Sequence, residues 1–393
     1  MFRDIAELSC LADPQTTILK VLHVVENLDR GAVENWLLRM LEHARNRGVP
    51  VDWTFYCIME QSSEWDSRAG ASGARVVHSP VPLARKAEFI RAFHQALRRD
   101  GYDILHCHHD LLSAVYLMAS VAIPLRRRIV HVHNADECVP TGSRMKQDLL
   151  REPMRQTCLR MADRIVGISN HTLDTFLAGR TRRPERDSVH YYGVDPTPFA
   201  NSPADRASFR RQLHLAEDAR ILLFAGRMVP EKNPMFAVEV LDKLCRTEPR
   251  AVGLFAGSGS EVQHVLDRAR ELGLEKSVRL LGWRIDLPEI MCCCDWFILP
   301  HPEHPVEGFG LAVVEAQLAG LRMLVSPGIS DDPLLPTASF RRIPLSDGAD
   351  AWAQAAMELF DVSAPSRDTA IAALKDSPMD MDRALQGLLQ LHA

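Results

Sequence analysis

The chain has 393 residues, a length that suits two domains better than one. Hydrophobic residues make up 46% and charged residues 25%, with a net charge of −5; this is ordinary globular composition and speaks against nucleic acid as a partner. No apolar run approaches the ~20 residues that span a bilayer, and the acid-bearing N-terminus lacks the apolar stretch of a secretory signal, so a cytoplasmic location is expected.

Short apolar runs recur in chain order, each followed by a helix-like segment. Strands are expected at 18–25, 51–58, 74–78, 104–108, 128–133 and 164–169, with amphipathic helices at 34–46 and 88–99 among them. The pattern restarts after Val194. Strands are expected at 221–225, 252–256, 278–281, 296–299 and 322–325, with helices at 234–246, 260–272 and 287–291. The turn-rich stretch Tyr192-Gly-Val-Asp-Pro-Thr-Pro198 marks the break. Two further helices are expected at 350–360 and 379–392, with Pro365 and Pro378 breaking the chain between them. Strands alternating with helices imply α/β architecture, in which each domain carries a parallel sheet covered on both faces. The expected domains run over 1–196 and 197–375, with a last helix at about 376–393.

Nine cysteines form no Cys-x-x-Cys pair, as in a reduced protein. The run Cys292-Cys293-Cys294 cannot turn three consecutive side chains toward one ion, so it reads as small apolar residues in a packed segment.

In open α/β sheets ligands bind beyond the carboxyl ends of the strands, and with two such domains the expected site is the cleft between them. The chemistry-bearing motifs do follow strands. After 221–225 comes Gly-Arg-Met-Val-Pro-Glu-Lys-Asn233, where Arg227 and Lys232 either converge on a diphosphate or are two surface cations. After 252–256 comes Gly257-Ser-Gly-Ser-Glu261, a glycine turn feeding a helix. After 296–299 comes His301-Pro-Glu-His-Pro-Val-Glu307-Gly-Phe-Gly-Leu-Ala-Val-Val-Glu315. Here the amides of Phe309, Gly310 and Leu311 stand at a helix start, suited to phosphate, and Glu307 and Glu315 flank the glycines. Glu315 reads either as a ribose ligand or as a buried capping acid.

In the first half, Gly31 follows the first strand and opens a helix, another cradle for phosphate. The sequence there is not Gly-x-Gly-x-x-Gly, which disfavours a nicotinamide cofactor. His106, His108, His131 and His133 end two successive strands. They alternate along each strand, and no cysteine or acid set completes a metal shell. The preferred reading is a histidine that hydrogen-bonds a sugar or phosphate, with polar strand ends as the alternative.

Taken together, these residues resemble glycosyltransferase family 4, whose GT-B fold sets two Rossmann-like domains facing each other. The carriers are LHVVENLDRGAVEN at 22–35, YDILHCHHDLLSA at 102–114, VHVHN at 130–134, ADRIVGIS at 162–169 and YGVDPTPF at 192–199. In the second half they are FAGRMVPEKNP at 224–234, FAGSGSE at 255–261 and EGFGLAVVEAQLAG at 307–320. The closing part looks most like enzymes of exopolysaccharide or capsule assembly.

The resemblance implies a retaining hexosyltransferase that moves a sugar from a nucleotide-diphosphate sugar, a UDP-sugar first of all, to a glycan or lipid-linked acceptor. It implies no cofactor and no metal. It implies that Arg227 and Lys232 hold the diphosphate, that Glu315 holds the ribose, and that Glu307 with the Phe309, Gly310 and Leu311 amides holds the transferred sugar. Gly31 would approach the phosphate, Gly257 would line the donor site, His133 would face the sugar, and Trp283 and Arg284 would contact the base. Glu307, His133, Arg227 and Lys232 are thus the expected catalytic residues. The last helix would cross back onto the first domain.

Two departures stand out. The first loop carries Gly31-Ala32 where the family often has two glycines. The segment before Glu307 is longer and more polar than usual, and His301 and His304 are candidates to line the sugar pocket. Basic stretches at 85–99, 126–128 and 180–186 would be either a peripheral membrane contact or a solvated face. Two other functions remain open: a hydrolysing epimerase of the same fold, and a non-catalytic sugar-nucleotide-binding protein.

Overall fold

A computed structural model of the chain describes residues 18–29, 31–135 and 144–393. The N-terminal segment, Cys10 and Cys138 lie outside the described residues. The chain divides into two compact units, Met1–Gly193 with Met381–Ala393, and Val194–Asp380. The crossing points thus fall at 193/194 and 380/381, a few residues from the 196 and 375 read from the sequence.

The first unit holds a seven-stranded parallel sheet: β1 (Lys20–Val25), β2 (Asp52–Cys57), β3 (Arg75–His78), β4 (Ile104–Cys107), β5 (Arg127–Val132), β6 (Arg164–Gly167) and β7 (Asp187–Val189). Its spatial order is β3-β2-β1-β4-β5-β6-β7, so the order reverses between β1 and β4. Both faces are covered, which explains why the strands read as near-continuous apolar runs.

The helices cover it by their own periodicity. In Lys86–Asp100, Phe89, Phe93 and Leu97 recur every fourth residue and are fully buried. Each such side chain contributes roughly 1.5–3 kcal/mol by leaving water. Phe93 meets Tyr56 edge-on at 4.9 Å between ring centroids. The helix stops at Gly101, whose φ of 63° few other residues tolerate. The last helix, Met381–His392, belongs to this unit: Asp382 accepts a hydrogen bond from His43 Nε2 at 2.7 Å and pairs with Arg47.

The second unit holds β8 (Arg220–Ala225), β9 (Ala251–Ala256), β10 (Val278–Gly282), β11 (Trp296–Leu299), β12 (Arg322–Val325) and β13 (Phe340–Arg342), all parallel, in the order β10-β9-β8-β11-β12-β13. The reversal here lies between β8 and β11. Cys292, Cys293 and Cys294 are all buried just before β11, as packed residues. No helix among the described residues is long and apolar enough to cross a membrane.

The structure adds elements that the sequence pattern does not announce. β7 and β13 are three-residue edge strands of polar sequence, Asp-Ser-Val and Phe-Arg-Arg, too short and too polar to show period-two alternation. Between Pro365 and Pro378 the tail forms a third helix, Arg367–Lys375, capped by Ser366. Prolines flank that helix without interrupting it.

One buried ion pair ties the start of the second unit to its sheet. Asp295, just ahead of β11, accepts from Arg210 Nη2 at 3.2 Å and from the Ile221 amide at 2.8 Å, and it pairs with Arg206. Arg210 also donates to the Ala219 carbonyl at 2.8 Å. Removing one partner would leave the other charge buried and uncompensated. Asp295→Ala is therefore expected to destabilise the second unit by about 3–5 kcal/mol, read as a lower denaturant midpoint with an unchanged slope.

Candidate active site

In the second unit, the carboxyl ends of β8, β9 and β11 carry the polar motifs. The loops after β8 and β9 lie directly on each other. Gly226 donates to Ala256 O at 3.0 Å, Met228 to Ser258 O at 2.8 Å, and Glu261 to Met228 O at 2.8 Å. A Cβ on Gly257 would stand 1.8 Å from Gly226 O, and one on Gly259 2.2 Å from Met228 O. These glycines exist for backbone-to-backbone closeness. Gly257 thus lets the loops after β8 and β9 pack backbone to backbone.

The β8 loop then makes a short 3-10 turn, Pro230–Lys232, and Asn233 takes φ 52° before the next helix starts at Pro234. This turn aims Lys232 at Glu307, and the two form an ion pair. His301 Nε2 lies 3.5 Å from the same carboxylate oxygen, while its Nδ1 faces Pro302 O at 2.9 Å. Burial alone would raise the Glu307 pKa, but Lys232, His301 and Arg227 outweigh it and hold the carboxyl below its ordinary range. Burial keeps His301 itself below its ordinary value despite Glu307 beside it. Arg227 is exposed.

The loop carrying Glu307 is pinned from behind. The Glu307 amide donates to Gly328 O at 2.9 Å, and Ser326 Oγ donates to His301 O. A Cβ on Gly328 would lie 2.1 Å from Pro302 O, so the two loops touch through backbone. Gly310 takes φ 86° and turns the chain into helix Leu311–Leu318. Its N-cap, Gly310, makes no side-chain cap bond to this helix. Phe309 is buried and anchors the turn; Glu315 is half-buried on the helix. Gln317 fixes the helix to the next loop, donating to Pro333 O at 2.8 Å and accepting from the Leu335 amide at 2.7 Å.

Arg227, Lys232, Glu307, Phe309, Gly310, Leu311 and Glu315 thus all belong to the β8 and β11 ends of one sheet, the point where its strand order reverses. The histidine-bearing prelude splits: His301 is buried against Glu307, whereas His304 is exposed. Trp283 and Arg284 sit on the exposed loop after β10, with Trp283 44% exposed and Arg284 Nε held by Asp286 at 2.7 Å.

In the first unit, Gly31 precedes helix Ala32–Asn46. The Glu34 carboxyl folds back beneath it, so a Cβ on Gly31 would stand 2.0 Å from Glu34 Oε2. Burial, with Glu26 and Asp29 nearby, raises the Glu34 pKa to about 7. Sequence reasoning passed over this residue; the signal was an acid at the third helical position after a glycine.

His133 does not present its ring outward. Its Nε2 faces His108 Nδ1 at 3.0 Å and its Nδ1 faces Tyr192 OH at 2.7 Å. Both ring nitrogens are spent inside the unit, and what remains at that strand end is backbone, with the His133 amide donating to Asp110 Oδ1 at 2.7 Å. The basic stretches are likewise largely engaged: Arg85 pairs with Glu88, Arg126 with Asp103, Arg180 with Glu152, Arg182 with Asp174 and Arg186 with Asp187.

Residues 31–193 match the family profile described as glycosyl transferase 4-like domain, and residues 205–330 match that described as glycosyl transferases group 1. The two matches together span more than half of the chain. A relative named as a candidate glycosyltransferase, EpsF of Bacillus subtilis (strain 168), is 23% identical over 95% of this chain and 96% of its own length. The UDP-Gal:alpha-D-GlcNAc-diphosphoundecaprenol alpha-1,3-galactosyltransferase of Escherichia coli is 25% identical over 63% of each chain. Among solved structures, Anabaena Alr3699/HepE in complex with UDP-glucose superimposes with a TM-score of 0.76 at 19% identity, covering 95% of this chain and 98% of that one.

The chain belongs to the glycosyltransferases of family 4 type. It is a transferase with the nucleotide-sugar-binding GT-B fold of two Rossmann-like domains.

The raised pKa of Glu34 carries a sign. A carboxyl whose folded pKa lies above its ordinary 4.5 penalises the fold progressively as pH rises from 4.5 to about 7, and by a constant amount above that. Glu34→Gln removes this penalty. Relative to the unsubstituted protein, the variant should gain about 1–3 kcal/mol between pH 5 and pH 8, measured by denaturant titration at both.

Proposed function

We propose that this protein is a retaining glycosyltransferase that uses a UDP-sugar and transfers its sugar to a hydroxyl of a glycan or lipid-linked acceptor in cell-surface or exopolysaccharide synthesis. The observation that carries the reading is the partly buried Lys232–Glu307 pair, flanked by His301 and Arg227, beside the helix start at Gly310. The relatives named above support the donor and acceptor classes by what their own names state.

On this reading Lys232, Arg227 and the amides of the Leu311–Leu318 helix receive the diphosphate, and Glu315 accepts the ribose hydroxyls. Glu307 orients the sugar. As the bond from the anomeric carbon to the β-phosphate oxygen stretches, negative charge grows on that phosphate. The cations and amides are preorganised for charge developing there, which lowers the barrier more than it tightens ground-state binding. The acceptor hydroxyl attacks from the departing side, and the leaving phosphate oxygen takes its proton. In the protein alone Lys232 is neutralised by Glu307, so an arriving diphosphate competes with a carboxylate for it. Neither a cofactor nor a metal is needed for this route.

Lys232→Ala and Glu315→Ala should each abolish transfer with circular dichroism unchanged; the melting temperature should stay near that of the unsubstituted protein for Glu315→Ala and fall for Lys232→Ala, which leaves Glu307 without its cation. Loss of one charge-stabilising contact alone corresponds to about 10²–10³ in kcat. Turnover at the unsubstituted rate in either variant would overturn the site. With a UDP-sugar and an acceptor, NMR of the product should show the donor's anomeric configuration kept; inversion would overturn the mechanism. Fast donor consumption with no acceptor would mark a hydrolysing enzyme instead. Raised thermal stability with UDP-sugars, and not with other nucleotide sugars, checks the base.

A further inference from the structure

β1, β4 and β5 lie side by side in the first unit, and each places histidines on one face: His23 on β1, His106 and His108 at β4, His131 and His133 at β5. Residues two apart share a face of a strand, so the two pairs stack along the sheet, at 4.3 Å between the rings of His106 and His108 and 4.6 Å between those of His131 and His133. All five are at most 5% exposed. The helix Ala32–Asn46 lays Trp36 over them, 5.3 Å from the His131 ring, and His190, which follows β7, stands 5.8 Å from it.

A neutral imidazole has one donor and one acceptor, so its bonds can be counted. His131 Nδ1 faces His106 Nε2 at 3.2 Å, His108 Nε2 faces His23 Nδ1 at 3.0 Å, and His190 Nε2 donates to Ala384 O at 2.8 Å. Three buried polar atoms grouped around His131 find no partner among the described residues: His131 Nε2, His190 Nδ1 and Trp36 Nε1. His23 Nε2, at the far end of the array, also lacks one. Unpaired buried polar atoms are costly, and three neighbouring ones point to a shared ligand.

One ring nitrogen from each of His108, His131 and His133 lies within 4.8 Å of the other two. His108 Nδ1 and His133 Nε2 already face each other at 3.0 Å. Two nitrogens bound to one tetrahedral zinc at ~2.0–2.1 Å stand roughly 3.3–3.4 Å apart, so a shift of a few tenths of an ångström opens the pair around an ion. Each of the three also has its other nitrogen backed by an outer partner: His108 by His23, His131 by His106, and His133 by Tyr192 at 2.7 Å. Metal-bound histidines require such backing.

We propose that His108, His131 and His133 bind one divalent transition-metal ion, zinc by ligand chemistry, in the core of the first unit. His108 Nδ1, His131 Nε2 and His133 Nε2 are the ligand atoms. A water fills the fourth position, accepting from Trp36 Nε1 and donating to His190 Nδ1. Zinc-bound water ionises near pH ~7, which reduces the net charge the core must hold. The ion joins β4 to β5. It lies on another sheet from the residues proposed for the donor, so the transfer reaction can fail its tests while this site passes, and the reverse.

Because the ligands are buried, the ion enters during folding. Untagged protein made in zinc-supplemented medium should carry one equivalent of zinc by mass spectrometry. Protein refolded with cobalt(II) should show the visible bands of a tetrahedral nitrogen-bound ion. His131→Gln should lose the metal and its bands, while His109→Gln, outside the ligand set, should keep both. If His131→Gln does not fold, the cobalt spectrum and zinc content of the unsubstituted protein decide alone. Metal-free protein by both routes, with a melting temperature unmoved by zinc or cobalt during refolding, would overturn the proposal. Metal retained in folded His131→Gln would do the same.

Discussion

A carboxylate largely withdrawn from water has to be paired, and in the loop beyond β11 that requirement falls on Glu307. Desolvation alone would neutralise it; Lys232, His301 and Arg227 keep it charged. Much of the local backbone serves this pairing. The 3-10 turn Pro230–Lys232 and the left-handed Asn233 bring the lysine across from β8. Gly328 lets the loop after β12 press against Pro302, and Ser326 holds His301 in place. The charge is thus held in the loop beyond the sheet's carboxyl end.

The first unit solves a different problem. Its central strands bury imidazoles where a parallel sheet ordinarily buries aliphatic side chains, and burial keeps these histidines below their ordinary pKa. Such a layer survives only if its nitrogens bond one another or a shared ligand. The last helix joins this layer, since His392 Nε2 faces His106 Nδ1 at 3.0 Å and Ala384 O accepts from His190. Returning the C-terminus to the first unit therefore completes a polar core as well as covering apolar surface.

The two units show how legibility tracks burial and locality. Long apolar strands such as Arg220–Ala225 and Trp296–Leu299 were readable because nearly every residue in them is buried. The edge strands Asp187–Val189 and Phe340–Arg342 were not, because pairing on one side only imposes no pattern. The Gly-Phe-Gly turn was readable as a helix start, and Gly310 takes a left-handed conformation just before helix Leu311–Leu318. The inward turn of His133 was not readable, because alternation along one strand cannot say that His108 on the next strand takes its nitrogen.

From its sequence alone, this chain determined a doubly wound α/β class, a break within residues 192–198, the family resemblance, and the loops that carry Arg227, Lys232, Glu307 and Glu315. All of these depend on period, composition and contiguous spacing, which are local properties. Tertiary structure alone decided that Lys232 spends its charge on Glu307, that His301 joins them while His304 stays outside, and that Glu34 lies under Gly31 with a raised pKa. It alone decided that five strand histidines form one buried array. Each of these depends on desolvation and on groups brought together from distant parts of the chain, and no spacing along one strand or helix encodes them.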